Sequence, residues 1–365
     1  MKNILGHNLT VTIFGESHGS HIGAVIDGLT AGIKVDEDFI KECLSKRRPS
    51  SALETARIEK DSYQIVSGVF NGFTTGSPLC IIIENSNVKS KDYDLIKDLA
   101  RPSHADYVAN VKYNGFNDYR GGGHFSGRIT AAIVASGAIL LKALEKLNIK
   151  IGCHILKCGN VKDVDFNDIN NEIDKVNQMS FPVISDVSKK MEEEILNAAK
   201  ENDSIGGIIQ TAITGLPVGL GDPMFSSLEG QLSNALFSIG GIKGVEFGLG
   251  FDFANKKGSE ANDEFKVVDG KVITTTNNNG GINGGISNGM PVMFNVAVRP
   301  TPSIYKTQNT INMKEKTNET ITIVGRHDPA IIRRINIVIK SICAIVIADN
   351  LISKYGQDVF LKESL

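Results

Sequence analysis

The sequence predicts an α+β fold, with antiparallel hairpins kept apart from a few long buried helices. Three features of the 365-residue chain carry that prediction. Strand-like runs come as neighbours joined by turn residues, as at 63–70 and 78–84, with Asn71-Gly72 and Thr75-Gly76-Ser77 between them. The long apolar helices do not alternate one-to-one with strands, which argues against a doubly wound parallel sheet. No period of about 20–50 residues recurs, which excludes a solenoid. No Pro/Ser-rich linker divides the chain, so residues 1–365 read as one domain.

In chain order, residues 9–14 read as a strand. Residues 36–46 read as a helix with Phe39, Ile40, Cys43 and Leu44 on one side, ended by the basic turn Lys46-Arg47-Arg48 and stopped by Pro49. Residues 129–147 carry almost no polar side chain before Lys142, the mark of a helix buried on several sides. A charged amphipathic helix follows at 188–202, then another at 228–239 ahead of Gly240-Gly241. The polar stretch 255–279 reads as a mobile loop and 292–298 as a strand. The last helix, 331–354, contains Asn336, Lys340, Ser341, Asp349 and Asn350, so it reads as a core helix and not a membrane span.

Composition narrows the function. A net charge of −2 argues against a nucleic-acid coat or a polybasic membrane binder. A 41% hydrophobic content can fill a sizeable core. Cys43, Cys80, Cys153, Cys158 and Cys343 are odd in number and scattered, which fits buried thiols in a reducing compartment. Cys153-His154 and Cys158 lack a second pair to complete four ligands, so no metal is expected. No long apolar stretch follows the N-terminal lysine, so no signal peptide is read and a soluble, cytoplasmic protein is expected.

Five segments combine glycine, histidine, arginine and carboxylate in ways that a core does not need. Gly15-Glu16-Ser17-His18-Gly19 places a histidine among small residues at a strand end, where an accessible imidazole can take up or release a proton near neutral pH, although a plain surface turn would look the same. Arg101-Pro102-Ser103-His104-Ala105-Asp106 sets a histidine between an arginine suited to phosphate or carboxylate and an acid. Asp118-Tyr119-Arg120-Gly121-Gly122-Gly123-His124-Phe125-Ser126-Gly127-Arg128 puts three glycines before a helix, where backbone N–H groups can crowd an anion between two arginines. The run from Asn277 to Ser287 has paired glycines that admit a flat ring, and Arg299-Pro300-Thr301-Pro302-Ser303 can hold a phosphate; a flexible loop is the bland alternative. Gly325-Arg326-His327-Asp328-Pro329 sets an acid or base beside an anion binder, yet Asp328 would serve equally as a helix cap with Pro329 at the first position.

Together these motifs resemble the chorismate synthase family of the shikimate pathway. The resemblance runs from the first residues to the last helix and includes Thr12 to Gly19, Ser90-Lys91-Asp92-Tyr93, Arg101 to Asp106, Tyr119 to Gly123, Ser238 to Gly250, the glycine loop and Gly325 to Pro329. It implies a β-α-β sandwich with helices between antiparallel sheets, assembled as a homotetramer. It implies the 1,4-elimination of phosphate from 5-enolpyruvylshikimate 3-phosphate, with reduced FMN required and NADPH a candidate reductant. By motif, His18 resembles the histidine that protonates departing phosphate, His104 the one beside the reduced flavin, and Asp328 the aspartate that works with the flavin in taking the substrate proton. Flavin contacts would fall on His124, Phe125, Ser126, Gly240, Gly241, Gly284, Arg299, Pro300, Thr301, Pro302, Ser303 and Arg326. Substrate contacts would fall on Arg47, Arg48, Arg101, Arg120 and Arg128, with Ser126 on the same side.

Two departures stand out. His124-Phe125-Ser126 replaces the Arg-Ser-Ser of many members, and Ser50-Ser51-Ala52-Leu53 stands where many have a further arginine. The alternative from another class is a non-catalytic flavin- or phosphate-binding homologue, for which an acid and a base would be superfluous. An oxidoreductase with stable NADPH binding would need a nucleotide fingerprint that the sequence lacks.

Overall fold

Alternating apolar residues build two five-stranded sheets in the computed structural model, which describes residues 3–49, 54, 60–86, 97–323 and 327–365. The first sheet holds β1 (Ile4–Leu5), β2 (Thr10–Gly15), β3 (His21–Asp27), β4 (Tyr63–Ser67) and β5 (Leu79–Glu84), in the order β1-β2-β3-β5-β4. The second holds β6 (Lys150–Cys158), β7 (Val161–Lys162), β8 (Gly207–Thr214), β9 (Ile242–Phe247) and β10 (Val292–Val298), in the order β9-β10-β8-β6-β7. Every pairing is antiparallel. The alternation is plain in β5, where Leu79, Ile81 and Ile83 are fully buried and their neighbours are not.

Among the described residues the α-helices are α1 (Glu37–Arg47), α2 (Asp106–Lys112), α3 (Thr130–Lys146), α4 (Ile169–Gln178), α5 (Ser188–Lys200), α6 (Leu228–Phe237) and α7 (Ile332–Tyr355), with a single turn at Gly258–Ala261. Asp36 starts α1 by accepting the Phe39 N–H at 2.9 Å. Helix α3 packs on β3 and β5, α7 packs on β6 and β8, and the two helices pack on each other. The order sheet–helix–helix–sheet is the β-α-β sandwich that the resemblance implies. Among the described residues two helices are long and apolar enough to cross a membrane, Gly127–Lys146 and Ile332–Tyr355; they contain these core elements and are mostly buried.

Close helix contact depends on one missing side chain. A Cβ on Gly137 would stand 2.4 Å from Ser341 Cβ and 2.6 Å from its Cα. The buried hydroxyls nearby are satisfied inside their own helices, Ser136 by Ala132 O at 2.9 Å and Ser341 by Ile337 O at 2.7 Å. Gly137→Ala is therefore expected to destabilise the fold by about 1–3 kcal/mol through overpacking, read by denaturant melts. An unchanged midpoint would mean that α3 and α7 separate at no cost.

Asp349, whose side chain the sequence shows only as a charge inside an apolar helix, holds the N-terminal segment. Its carboxylate accepts the N–H groups of His7, Asn8 and Leu9 at 2.9, 2.7 and 2.9 Å. The stretch 255–279 carries regular structure that its polarity hid: an antiparallel hairpin pairs Phe265–Val268 with Lys271–Thr274. Its strands are mostly exposed, so no buried face imposed an apolar alternation. All five cysteines are free and Cys43, Cys153, Cys158 and Cys343 are buried. Burial pushes the Cys43 and Cys153 thiols up to about 11 and Cys158 to about 12, which keeps them protonated.

Candidate active site

The turn after β2 buries Ser17 and His18 against the glycine turn. Gly121, Gly122 and Gly123 take φ of 59°, 83° and 53°, left-handed backbone that three consecutive side chains would strain. A Cβ on Gly121 would lie 2.4 Å from His18 Nδ1, and one on Gly122 would lie 3.0 Å from His104 Cε1. The two histidines thus flank a single stretch of glycine backbone. The turn is held by Ser17 N–H on Gly123 O at 3.0 Å and by His124, which donates from Nδ1 to Gly15 O at 2.8 Å. The glycines do not form the helix N-terminus that the sequence reading placed there. Left-handed residues cannot continue into a helix, so the chain turns again through Gly127–Ile129 before α3 begins.

His104 Nδ1 lies 2.9 Å from Asp106 Oδ1, and Arg101 grips the same carboxylate from Nε and a terminal nitrogen, each at 2.7 Å. A terminal nitrogen of Arg101 also stands 3.1 Å from His104 Nδ1, but the carboxylate decides the tautomer: Nδ1 carries the proton and Nε2 faces the glycines. Burial opposes ionisation of Asp106, yet hydrogen bonds from Arg101 and His104 and their charge hold its carboxyl well below the usual range. His327 lies close enough to feel Arg101 and His104. Burial first, then those charges, pulls it down to about 4, so it is neutral at pH 7.

A cavity of about 220 Å³ adjoins the end of α1, the start of α3 and the start of α7. Arg47, Arg48, Ser126, Arg128, Asp328 and Arg334 give it a polar wall, and Ile239, Gly240, Ile335 and Val338 line the rest. Behind the wall, the fully buried Asp61 carboxylate takes Arg47 at 2.9 and 3.1 Å and also pairs with Arg128. Burial alone would raise Asp61, but the charges of Arg47 and Arg128 win and lower it. Arg128 Nε donates to Asn85 Oδ1 at 2.9 Å, and Asn85 Nδ2 donates to the carbonyls of Glu16 and Gly19 at 3.0 and 2.8 Å. Asn85 therefore joins the arginine wall to the turn that carries His18.

Asp328 is not the cap of α7. That helix starts at Ile332 after an N-cap, Ile331, that offers no side-chain bond, and the Asp328 carboxylate turns to Arg334 instead. Arg334 Nε donates to Arg47 O at 2.8 Å, while Arg333 donates to Arg48 O at 2.7 Å and pairs with Glu54 at 2.6 Å. Guanidinium groups from α7 thus satisfy the orphan carbonyls at the end of α1.

The remaining sequence-predicted residues divide. Arg299 donates to Ser103 O at 2.8 Å, which brings the segment from Arg299 to Ser303 beside His104, and its N–H on Gly241 O at 2.9 Å links that segment to Gly240-Gly241. Pro300 packs against Gly206, and Thr301 O accepts from Ser204 Oγ at 2.6 Å. Arg120 folds back on Asp118 with two bonds of 2.9 Å. Phe125 is half-exposed with its ring 6.2 Å from that of Tyr113. Gly284 is not brought to this cavity: Gly285 O accepts the Leu228 N–H at the start of α6, whereas Gly240 follows its end, about 15 Å along the helix. Gly325, Arg326, Ser90 to Tyr93 and Ser50 to Leu53 lie outside the described residues. Sequence reasoning missed Asp61, Asn85 and Arg334. Only the Arg333-Arg334 pair at the head of an apolar helix carried a readable signal.

An arginine-walled cavity that carries a carboxylate and is joined through Asn85 to the turn of His18, in an α+β sandwich, fits an enzyme for a small polyanion. The family model described as chorismate synthase matches residues 9–352. A curated chorismate synthase of Pyrococcus abyssi is 46% identical over 350 residues, covering 95% of this chain and 97% of its own. One of Methanobrevibacter smithii is 45% identical over 355 residues, covering 96% and 97%. A crystal structure of chorismate synthase superposes with a TM-score of 0.77 at 28% identity, covering 98% of this chain and 96% of that one. The chain belongs to the chorismate synthase family. The activity is that of a carbon–oxygen lyase of aromatic biosynthesis, which eliminates phosphate from 5-enolpyruvylshikimate 3-phosphate to give chorismate, and the family implies a flavin cofactor.

Proposed function

We propose that the cavity at α1, α3 and α7 binds 5-enolpyruvylshikimate 3-phosphate, that His18, His104 and Asp328 carry the proton chemistry, and that the cofactor is reduced FMN. The observation that carries this reading is that contacts run from one arginine wall to both histidines and to the carboxylate. They run from Asp61 through Arg128 and Asn85 to the His18 turn and across Gly121 and Gly122 to His104, while Arg47, bound to the same Asp61, leads through Arg334 to Asp328. The substrate's phosphate and two carboxylates need several cations at one place, and Arg47, Arg48 and Arg128 supply them in a chain of nearly neutral charge. As the carbon–oxygen bond to phosphate breaks, His18 gives its proton to the departing phosphate. Asp328 receives the proton lost from the ring carbon, and the electron pair released there becomes the new double bond, so nothing is oxidised overall.

Residues near His104 fit a polar, planar cofactor. Arg299 Nε, Thr301 Oγ1 and His327 Nε2 are buried with no hydrogen-bond partner among the described residues, and nothing would obstruct the open face of Gly240. When bound there, reduced flavin supplies electron density to the breaking bond. Arg299, Thr301 and Ser303 would hold the polar end of the cofactor, and His104 would face its ring. Arg101 serves this reading by gripping Asp106, not by meeting substrate. The working form is a cytoplasmic homotetramer, a reading supported by the exposed rings of Phe116, Phe225 and Phe251.

Reduction of the flavin comes from outside the chain, a reading supported by a sequence with no G-x-G-x-x-G and no further arginine just after Pro49. The test is phosphate release under anaerobic conditions with chemically reduced FMN, set beside an aerobic assay with FMN and NADPH alone. Activity in the first alone is expected. Equal rates in both would give the chain its own reductase step, and no release in either would remove the assigned reaction.

A further inference from the structure

Arg334 stands on the cavity wall yet has no part in the roles assigned above. Its Nε is bound to Arg47 O at 2.8 Å and a terminal nitrogen pairs with the Asp328 carboxylate. Both side chains are largely buried, 18% and 13% exposed. Asp328 lies outside regular secondary structure, four residues before α7. We propose that Arg334 is a positioning residue for the elimination: it spans from the Arg47 carbonyl to the Asp328 carboxylate and holds that carboxylate at the cavity wall.

The proposal rests on the reading of Asp328 as proton acceptor. It turns on geometry more than on charge. Arg47, Arg48 and Arg128 already line the same cavity, Asp61 neutralises part of that wall from behind, and Arg333 is turned to Glu54. One more positive charge changes the field there little. A planar fork whose two donors point in fixed directions, one to a backbone carbonyl and one to a carboxylate, sets an angle that a lysine ammonium cannot. Two other roles are open to such a residue. A substrate anchor would govern affinity, and a plain cap for α1 would govern stability alone. Arg333 supplies the control, because it caps the neighbouring carbonyl of Arg48 from the same turn without touching Asp328.

The experiment compares Arg334→Gln, Arg334→Lys, Arg333→Gln, Asp328→Asn and the double variant Arg334→Gln with Asp328→Asn, all in the full chain. Thermal melts report folding, calorimetry with substrate alone reports affinity, and phosphate release with reduced FMN reports turnover. Arg334→Gln is expected to lower kcat about tenfold or more, as a displaced reacting group does, while Kd for substrate stays within about threefold. Arg334→Lys should not restore the rate, and Arg333→Gln should leave it unchanged. The double variant should be no slower than Asp328→Asn, because two residues acting through one carboxylate are not additive. A tenfold loss of affinity at constant kcat, recovery by lysine, or multiplied defects in the double variant would each overturn the proposal. If Arg334→Gln does not fold, Arg334→Lys carries the same cycle. A normal rate in Asp328→Asn sinks the reading beneath the proposal, a result distinct from any outcome at Arg334.

Discussion

Alanine at His18 or at His104 lowers turnover by at least ~10², the lower range of what a positioned acid or base contributes. Neither side chain carries the fold. His18 is buried against the backbone of Gly121, where alanine leaves the left-handed glycine turn and its Ser17–Gly123 bond in place. Removing His104 leaves Asp106 gripped by Arg101 through bonds of 2.7 Å, so that loop keeps its anchor. The two variants should separate in substrate binding. His18 adjoins the arginine wall through Asn85, and its loss weakens substrate binding modestly. His104 follows Ser103, whose carbonyl Arg299 holds on the cofactor side, and its loss leaves substrate affinity unchanged. Phosphate release measured beside calorimetric affinity checks both. A wild-type rate in either variant, with an unchanged melting curve, removes that histidine from the chemistry.

The elements legible in the sequence were those whose apolar period is imposed by burial on a known face. Helices α1, α3 and α7 and strand β10 fall within a residue of their expected bounds, since each packs against a core that repeats at helical or strand spacing. The hairpin at Phe265–Val268 and Lys271–Thr274 was illegible for the opposite reason: it is mostly exposed, and its residues repeat no burial pattern. In the site, glycine and histidine announced themselves because a core has no use for them in clusters. Asp61 could not. It is a single carboxylate in a charged stretch, and its meaning comes only from folding, which brings Arg47 and Arg128 to it from 14 and 67 residues away. Asp328 was ambiguous until the start of α7 was fixed at Ile332, because a cap and a base use the same side chain. Gly284 shows the reverse case, a motif residue whose neighbours in this chain lie at the far end of α6.

Asp61→Asn destabilises the protein by about 3–5 kcal/mol at pH 7, the cost of leaving buried charge without its counter-ion. The side chains of Arg47 and Arg128 are only 6% and 3% exposed, and the Asp61 carboxylate pairs with both. Asparagine is the informative substitution. Asp61 has a φ of 50°, left-handed backbone that asparagine tolerates, so the loss reports charge and not strain. Acid should abolish the difference. The two arginines hold the Asp61 carboxyl below its ordinary value, so its contribution is fully present above about pH 4, its unfolded pKa, and is lost as pH falls through the lower folded value. Denaturant melts of the two proteins should therefore stay apart from pH 7 to about 4 and converge as the pH is taken further down. Substrate binding supplies a second reading. With Asp61 neutral, the two arginines have only the ligand's phosphate and carboxylates as counter-ions, so saturating substrate should raise the variant's melting temperature more than the wild type's. A loss below about 1 kcal/mol at pH 7 would place Asp61 among ordinary surface ion pairs and strip the arginine wall of its support.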